Sequence, residues 1–275
     1  MTRRQRDVWS ILKQDRSGAI PCPGGLSLYS VSIPEPRLAG LSLFFFSDTH
    51  FRTEPVHSIP GGVFGFERIA RTLRETLDAY PADVVIFGGD LISESVWLRD
   101  AFSLLRSLPA KAAKLAVKGN WDSYASWISD QTWRDGYGSA GFRFLENESF
   151  TLDAVSFYGT ADFKTGAPLY RPDPERWNCL VSHNPDSIPL LRERCGAAQL
   201  ALCGHTHGGQ CRIPGYGAVV TSSRYGKRFE LGSYRCVEDG SRMLVSGGIG
   251  TTWLSLRLFC PPEAYRIEFT GETSR

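Results

Sequence analysis

The sequence predicts an α/β fold in which successive strands carry polar residues to one shared rim. Three observations support this. The run Leu41–Phe46 is almost continuously apolar and leads into Ser47-Asp48-Thr49-His50, as a buried strand with polar residues at its carboxyl end would. Residues 66–80 put Phe66, Ile69, Ala70, Leu73, Leu77 and Tyr80 on one helical face, with Glu67, Arg68, Arg71, Arg74 and Asp78 elsewhere. The alternation then repeats, and five predicted strands end in Asp, His, Asn or a glycine beside one of these.

In chain order, residues 1–25 read as a peripheral segment closed by the breaker cluster Pro21-Cys22-Pro23-Gly24-Gly25. Within it, Val8, Trp9, Ile11 and Leu12 lie among Arg3, Arg4, Arg6 and Lys13. That pattern suits a short helix on a membrane surface or, more plainly, a solvated N-terminal helix or frayed arm. Residues 26–275 contain no internal repeat and no low-complexity linker, and read as a single domain. Leu26–Ile33 alternates as a strand does. After the helix at 66–80 come a strand at Asp83–Phe87 ending in Gly88-Gly89-Asp90, a helix at 94–108, and a strand at Lys114–Val117 ending in Gly119-Asn120-Trp121-Asp122. A helical stretch is predicted over Ser123–Trp133, then short strands over 142–145, 150–154 and 156–159. Trp177–Val181 ends in Ser182-His183-Asn184, a short helix covers Ser187–Arg194, and Leu200–Cys203 ends in Gly204-His205-Thr206-His207. Short strands continue to Phe269, including Met243–Val245 and Ala264–Phe269.

Composition excludes several classes. Of 275 residues, 42% are apolar and 22% charged, ordinary for a soluble globular protein. A net charge of +2 creates no field that gathers nucleic acid. Cys22, Cys179, Cys195, Cys203, Cys211, Cys236 and Cys260 are odd in number, irregularly spaced and without a CxxC pair. They read as reduced thiols rather than a disulfide framework or a zinc ribbon. No apolar run reaches the ~20 residues of a membrane span, and no signal-peptide core follows the basic N-terminus. The expected location is cytoplasmic, with peripheral contact at the inner membrane face as a further expectation.

The polar strand ends collect Asp48, His50, Asp90, Asn120, His183, His205 and His207, including four of the five histidines. Carboxylate, imidazole and amide oxygen without thiolate suit Mn, Fe or Zn better than a soft metal. Positions 48/50 and 205/207 put both members of each pair on one side of an extended backbone. Taken singly, each short motif is weak. The ordered set DTH, GGD, GNWD, SHN and GHTH, each after a strand, is much harder to obtain by accident.

This ordered set resembles the calcineurin-like metallophosphoesterases, whose pattern is D-x-H, G-D, G-N-H-D, a lone His, then G-H-x-H. The resemblance spans residues 41–210 by motif. It continues toward Phe269 through GHTHGGQCRIPGYG, SRYGKRFELGSYR and SGGIGTTWLSLRLFCPPEAYRIEF. Those segments look like the branch of bacterial membrane-associated phosphodiesterases and UDP-diacylglucosamine pyrophosphatases. The resemblance implies a four-layer sandwich of two mixed β-sheets flanked by helices. It implies two divalent metal ions, with Mn2+ ahead of Fe, Zn2+ and Mg2+. Asp48, His50, Asp90 and His207 would hold one, and Asp90, Asn120, His183 and His205 the other. Two cations roughly 3.5–4 Å apart repel, so a shared anion is needed between them, and together they make hydroxide available near neutral pH. Asp90, Asn120, His205 and Asp122 are the implied catalytic group, Asp122 either orienting a ligand or capping the next helix.

One position departs from the pattern. Trp121 stands where the family has histidine, a residue linked there to transition-state stabilisation or leaving-group protonation. Its absence disfavours alkyl phosphomonoesters. The implied substrate is therefore a phosphodiester or pyrophosphate-type compound, lipid or nucleotide in character, with a UDP-diacylglucosamine-like lipid nucleotide as one case. The competing readings are a monoesterase or protein phosphatase, a nuclease, and a non-catalytic scaffold of the same fold. A nuclease should show a basic stripe with interleaved aromatics, and a scaffold should have lost ligands; neither feature is present. Arg52 and His57 follow the first ligand pair and are candidates for substrate contact, or simple loop residues. Arg224, Lys227 and Arg228 are candidates for anion binding, with a solvated loop the plainer reading. Cys203 is expected to pack in the core, and Trp97, Trp127 and Trp253 are candidates to line an apolar cleft, with core packing the default reading.

Overall fold

Short apolar runs, each sufficient for one buried strand, form the centres of two sheets in the computed structural model, which describes residues 9–12, 19–53 and 65–271. The chain begins with β1 (Trp9–Leu12), β2 (Ile20–Pro21), β3 (Ser27–Pro34) and β4 (Ser42–Phe46). Helix α1 (Phe66–Ala79) leads to β5 (Val84–Phe87), and α2 (Leu98–Ser107) to β6 (Ala113–Ala116). The short α3 (Asn120–Tyr124), α4 (Asp130–Ser139) and β7 (Arg143–Phe144) follow. The remainder comprises β8 (Glu148–Leu152), β9 (Val155–Gly159), β10 (Trp177–Val181), α5 (Ser187–Cys195) and β11 (Leu200–Cys203). It ends with β12 (Arg212–Ile213), β13 (Gly217–Ala218), β14 (Gly232–Cys236), β15 (Arg242–Val245) and β16 (Glu263–Thr270).

One sheet has the order β2-β3-β16-β4-β5-β6-β7 and the other β1-β14-β15-β11-β10-β9-β8. Both are mixed. In the first, β4 to β7 run parallel while β16 is antiparallel to β4. In the second, β9, β10, β11 and β15 run parallel, flanked by antiparallel β8 and β14. The near-continuous apolar runs are explained by coverage of both sheet faces. Along β4, Leu43 and Phe45 point between the sheets, where they join Val84, Ile86, Cys179, Val181, Leu200 and Leu202. Phe44 and Phe46 point outward to a second cluster that holds Ile69, Leu73 and Leu77 of α1, Leu104 of α2 and Trp133 of α4. On the far side, Leu180, Ala201, Cys203 and Met243 pack with Ile188 and Leu191 of α5. The result is the four-layer α/β sandwich that the motif resemblance implied.

The structure corrects three local expectations. Residues 9–12 are a strand rather than a helix or a free arm. They pair antiparallel with β14, Trp9 opposite Cys236, and Trp9 is buried edge-on against Phe229. Dense apolar residues made this stretch look helical; an unfilled sheet edge decides otherwise, because strand formation depends on neighbours more than on propensity. The helical stretch expected over 123–133 is two helices. The first ends at Tyr124 with Ala125 as its C-cap, and Ser129 starts the second by accepting from the Thr132 N–H at 3.1 Å. Trp127 and Trp253 are not core residues: they are 72% and 86% exposed. Trp97 does pack, stacking on Phe66 with ring centroids 5.4 Å apart.

The space between the sheets is closed by side chains such as Phe45, which is fully buried there. Phe45→Ala should therefore lower unfolding stability by about 3–5 kcal/mol in urea titration. A loss under about 1 kcal/mol would show that the intersheet layer can collapse around the deletion.

Candidate metal centre

Parallel strands in both sheets end at one rim, and the polar residues follow at once. Asp48 and His50 come after β4, Asp90 after β5, Asn120 after β6, His183 after β10, and His205 and His207 after β11. All seven are buried. The backbone must turn sharply to aim them inward: Asp48, His50, Asp90, His205 and His207 all have φ between +47° and +71°. That region is uncommon for residues with a side chain, and such residues cluster where surrounding structure enforces a functional geometry. Close approach is also needed. A Cβ added to Gly204 would overlap Asp48 Oδ2, and one added to Gly119 would overlap Asp90 Oδ1.

The side chains form two groups. One ligating atom each from Asp48, His50, Asp90 and His207 lie within 4.8 Å of one another, and so do atoms from Asp90, His183 and His205. Asp90 belongs to both. Its Oδ1 accepts from the Trp121 backbone N–H at 2.8 Å, which fixes the carboxylate plane. Its Oδ2 then lies 3.3 Å from His50 Nε2 and 3.1 Å from His183 Nε2. Asp48 accepts the His205 backbone N–H at 3.0 Å, and its Oδ1 lies 3.5 Å from His207 Nε2.

Several ring and amide atoms have their lone pairs directed at one another or at nothing. His50 Nε2 and His207 Nε2 are 3.0 Å apart, and His205 Nδ1 and His183 Nε2 are 3.3 Å apart. Asn120 Oδ1 is buried without a hydrogen-bond partner. Buried polar atoms are normally satisfied, so these facing ring nitrogens and the unpaired amide oxygen fit cations that the donor set would surround. The outer ring nitrogens are anchored: His183 Nδ1 lies 2.8 Å from the Gly88 carbonyl and His50 Nδ1 lies 3.0 Å from Ser93 Oγ. Donation from Nδ1 to the carbonyl fixes the tautomer and leaves Nε2 free to ligate.

Electrostatics point the same way. Burial opposes charge on Asp90, but His183 and His50 outweigh it and hold the carboxylate well below its usual range. Burial likewise opposes charge on His183, yet Asp90 pushes that imidazole up to about 10, so its Nε2 holds a proton that a cation ligated there would displace. Burial, then the neighbouring histidines, depress His205 and His207 well below the ordinary value, which keeps them in the neutral, ligating form. Burial, then repulsion from Asp90, raises Asp122 to about 7.

Asp122 sits under the site and works on backbone. Its Oδ2 accepts the Asp90 and Gly119 N–H groups at 2.9 and 3.0 Å, and its Oδ1 accepts the Leu91 N–H at 2.8 Å. Sequence reading missed Arg257, a cation within the apolar stretch Trp253–Phe259. Its Nη2 donates to the Gly247 and Gly250 carbonyls at 2.6 Å and lies 3.5 Å from His207 Nδ1. It thereby holds the loop whose Ile249 and Gly250 N–H groups bond to the Ser47 and Asp48 carbonyls. An arginine inside an apolar run was the available signal.

The weaker candidates separate. Arg52 turns to Ser255 Oγ at 2.8 Å and Thr251 Oγ1 at 3.2 Å, and His57 lies outside the described residues. Arg224 lies over Phe163, Lys227 over Tyr216, and Arg228 donates to the Trp9 carbonyl. These three follow the loop reading rather than forming one anion site. Trp121 lies edge-on to His50, ring centroids 5.5 Å apart, and against Trp253 at 6.0 Å.

Residues 41–209 match the calcineurin-like phosphoesterase family. The chain is 28% identical over 246 residues to the uncharacterized metallophosphoesterase YkuE of Bacillus subtilis (strain 168), covering 82% of this chain and 77% of that one. It is also 28% identical over 261 residues to phosphodiesterase YaeI of Escherichia coli (strain K12), covering 90% and 89%. A metallophosphoesterase of Aquifex aeolicus (strain VF5) is 26% identical over 206 residues, covering 69% and 74%.

Asp122→Ala would strand three buried N–H groups, each worth about 1–3 kcal/mol. The variant should lose at least about 3 kcal/mol of stability in chemical denaturation. Wild-type stability in that variant would contradict the anchoring role.

Proposed function

The chain belongs to the calcineurin-like phosphoesterase family and is a metal-dependent phosphoester hydrolase, and from that premise we propose that it cleaves phosphodiester or pyrophosphate-type bonds in preference to alkyl monoesters. In this reading Asp48, His50, Asp90 and His207 hold one divalent metal. Asp90, Asn120, His183 and His205 hold a second, with Asp90 shared. The oxygen and nitrogen donors suit Mn2+ ahead of Fe, Zn2+ or Mg2+. Bound there, divalent metals supply Lewis acidity, making water acidic enough to yield a nucleophile and neutralising charge on phosphoryl oxygens. The chain's own residues set the geometry. Trp121 N–H fixes the Asp90 plane, Asp122 holds the Asp90 and Gly119 backbone, and Asn120 turns an unpaired oxygen inward.

Trp121 is the observation that carries the choice of bond. It occupies the mouth beside His50, and its indole is only a hydrogen-bond donor, with no titrating proton to give in this range. An alkoxide departing without a general acid is a strong base and leaves slowly. A phosphate leaving group has a second pKa of roughly 6 and leaves an anhydride readily. The relative named a phosphodiesterase, YaeI, agrees with this preference. Exposed apolar side chains beside Trp121 favour a substrate with a lipid portion. Trp253 and Tyr124, 86% and 55% exposed, have ring centroids 6.0 and 6.4 Å from it, and exposed Leu254 adjoins Trp253. A lipid nucleotide of the UDP-diacylglucosamine kind meets both conditions, and peripheral membrane contact would then fall on this rim.

Turnover on a panel of aryl diesters, nucleotide pyrophosphates and alkyl monoesters with Mn2+ should rise steeply with leaving-group acidity. Trp121→His should raise alkyl monoester turnover selectively, up to the ~10²-fold that general acids supply. A flat dependence on leaving-group pKa, with alkyl monoesters cleaved as fast as pyrophosphates, would refute the reading.

A further inference from the structure

Beside the metal centre lies a cavity of about 690 Å³ whose walls come from the ends of β6, β7 and β9 and the linker between α3 and α4. Its position ties it to the reacting groups. Asp122 forms part of its lining, and Lys118 precedes Asn120 by two residues. On the other side, Thr160 Oγ1 donates to Ser182 Oγ at 2.9 Å, which ties the loop that carries Asp162 to the strand end that carries His183, and the Asp162 charge adds to the field that raises that imidazole.

The walls are fixed. Lys118, 8% exposed at its side chain, spans the cavity by pairing with Asp130 Oδ1 at 2.5 Å and Glu146 Oε1 at 3.2 Å. Asn147 Oδ1 accepts the Ala161 and Leu169 N–H groups at 3.0 and 2.8 Å, and its Nδ2 donates to the Ala167 carbonyl at 3.0 Å. The loop after β9 is thereby pinned. Asp162 turns that loop: its Oδ2 accepts from the Lys164 N–H, the Thr165 N–H and Thr165 Oγ1 at 2.8 to 2.9 Å.

The other oxygen is left over. Asp162 is 3% exposed, lines the cavity, and its Oδ1 has no hydrogen-bond partner. An ionised carboxylate oxygen out of water and without a donor is costly, so the site is completed by a ligand that donates. The charge balance says what kind. Asp122 is consumed by backbone N–H groups; the remaining charged groups at the cavity are Lys118 and Arg134, the latter 3.8 Å from Glu146 Oε2, against Asp130, Glu146 and Asp162, a net of −1. Such a cavity repels a second phosphate and attracts a cation with N–H donors.

Resting on the phosphodiester reading above, we propose that this cavity is a substrate subsite for an ammonium group on the non-reacting arm of the ester, with Asp162 Oδ1 and Glu146 as its acceptors. The substrate class is then an aminoalkyl or amino-sugar phosphoester: anionic where it meets the metals, cationic where it enters the cavity.

The test compares two p-nitrophenyl phosphodiesters with the same leaving group, one bearing a 2-aminoethyl arm and one an ethyl arm, on the Mn2+-loaded full chain. The amine should be preferred in kcat/KM by on the order of 10-fold, chiefly through KM, as expected of one charge-assisted hydrogen bond. Asp162→Asn and Glu146→Gln should each bring that ratio toward one, with thermal unfolding recording whether either variant is misfolded. A ratio near one in the wild type, or a wild-type ratio in both folded variants, overturns the subsite while leaving the hydrolase reading in place. If neither diester is cleaved, the phosphodiester reading fails, and calorimetric titration of O-phosphoethanolamine against ethyl phosphate decides the subsite. Tighter binding of the amine, lost in the variants, upholds it; equal affinity overturns it.

Discussion

Asp90 is the point at which the two sheets meet electrostatically. One oxygen lies 3.3 Å from His50, carried by β4 of one sheet, and 3.1 Å from His183, carried by β10 of the other. The carboxylate is 1% exposed, so its charge persists only because imidazoles from both layers face it. Much of the surrounding structure serves that arrangement. Trp121 and Asp122 hold its side chain and backbone. Gly89 adopts φ +94° just before it, where an added Cβ would press on the Gly119 nitrogen and His183. The strand ends must converge within a few ångströms, which requires the register of both sheets and the side-chain layer between them.

Buried charge and left-handed backbone at five residues are thus concentrated at one rim, while the strands and helices behind it supply the apolar packing. Left-handed backbone at five site residues costs on the order of 1–3 kcal/mol each. Burial of the three aliphatic and aromatic clusters can offset that cost. The same division explains why ring and amide lone pairs face each other: stabilisation from the core tolerates a site organised for cations rather than for its own hydrogen bonding.

Much of this was readable from sequence where one physical cause dominates. β10 and β11 form over Trp177–Val181 and Leu200–Cys203 as predicted, because strands buried on both faces leave a continuous apolar run. Asp48, His50, Asp90, His183, His205 and His207 were identified because each follows such a run, and the structure brings them together. Failures occur where tertiary context decides. Trp9–Leu12 became a strand because β14 offered an open edge. The break at 125–129 depends on the Ser129 cap. Trp127 and Trp253 look like core residues by type but are exposed. The cavity lined by Lys118, Glu146 and Asp162 draws on three strand ends, and no single stretch of sequence carries its pattern.

The central claim is that two divalent cations share Asp90. Elemental analysis of the Mn2+-loaded chain, paired with electron paramagnetic resonance, tests it most directly. The account requires close to two Mn2+ per wild-type chain with the spectrum of an exchange-coupled pair, and loss of the coupled signal together with turnover in Asp90→Ala. A folded Asp90→Ala variant that retains two coupled Mn2+ and wild-type turnover would contradict it.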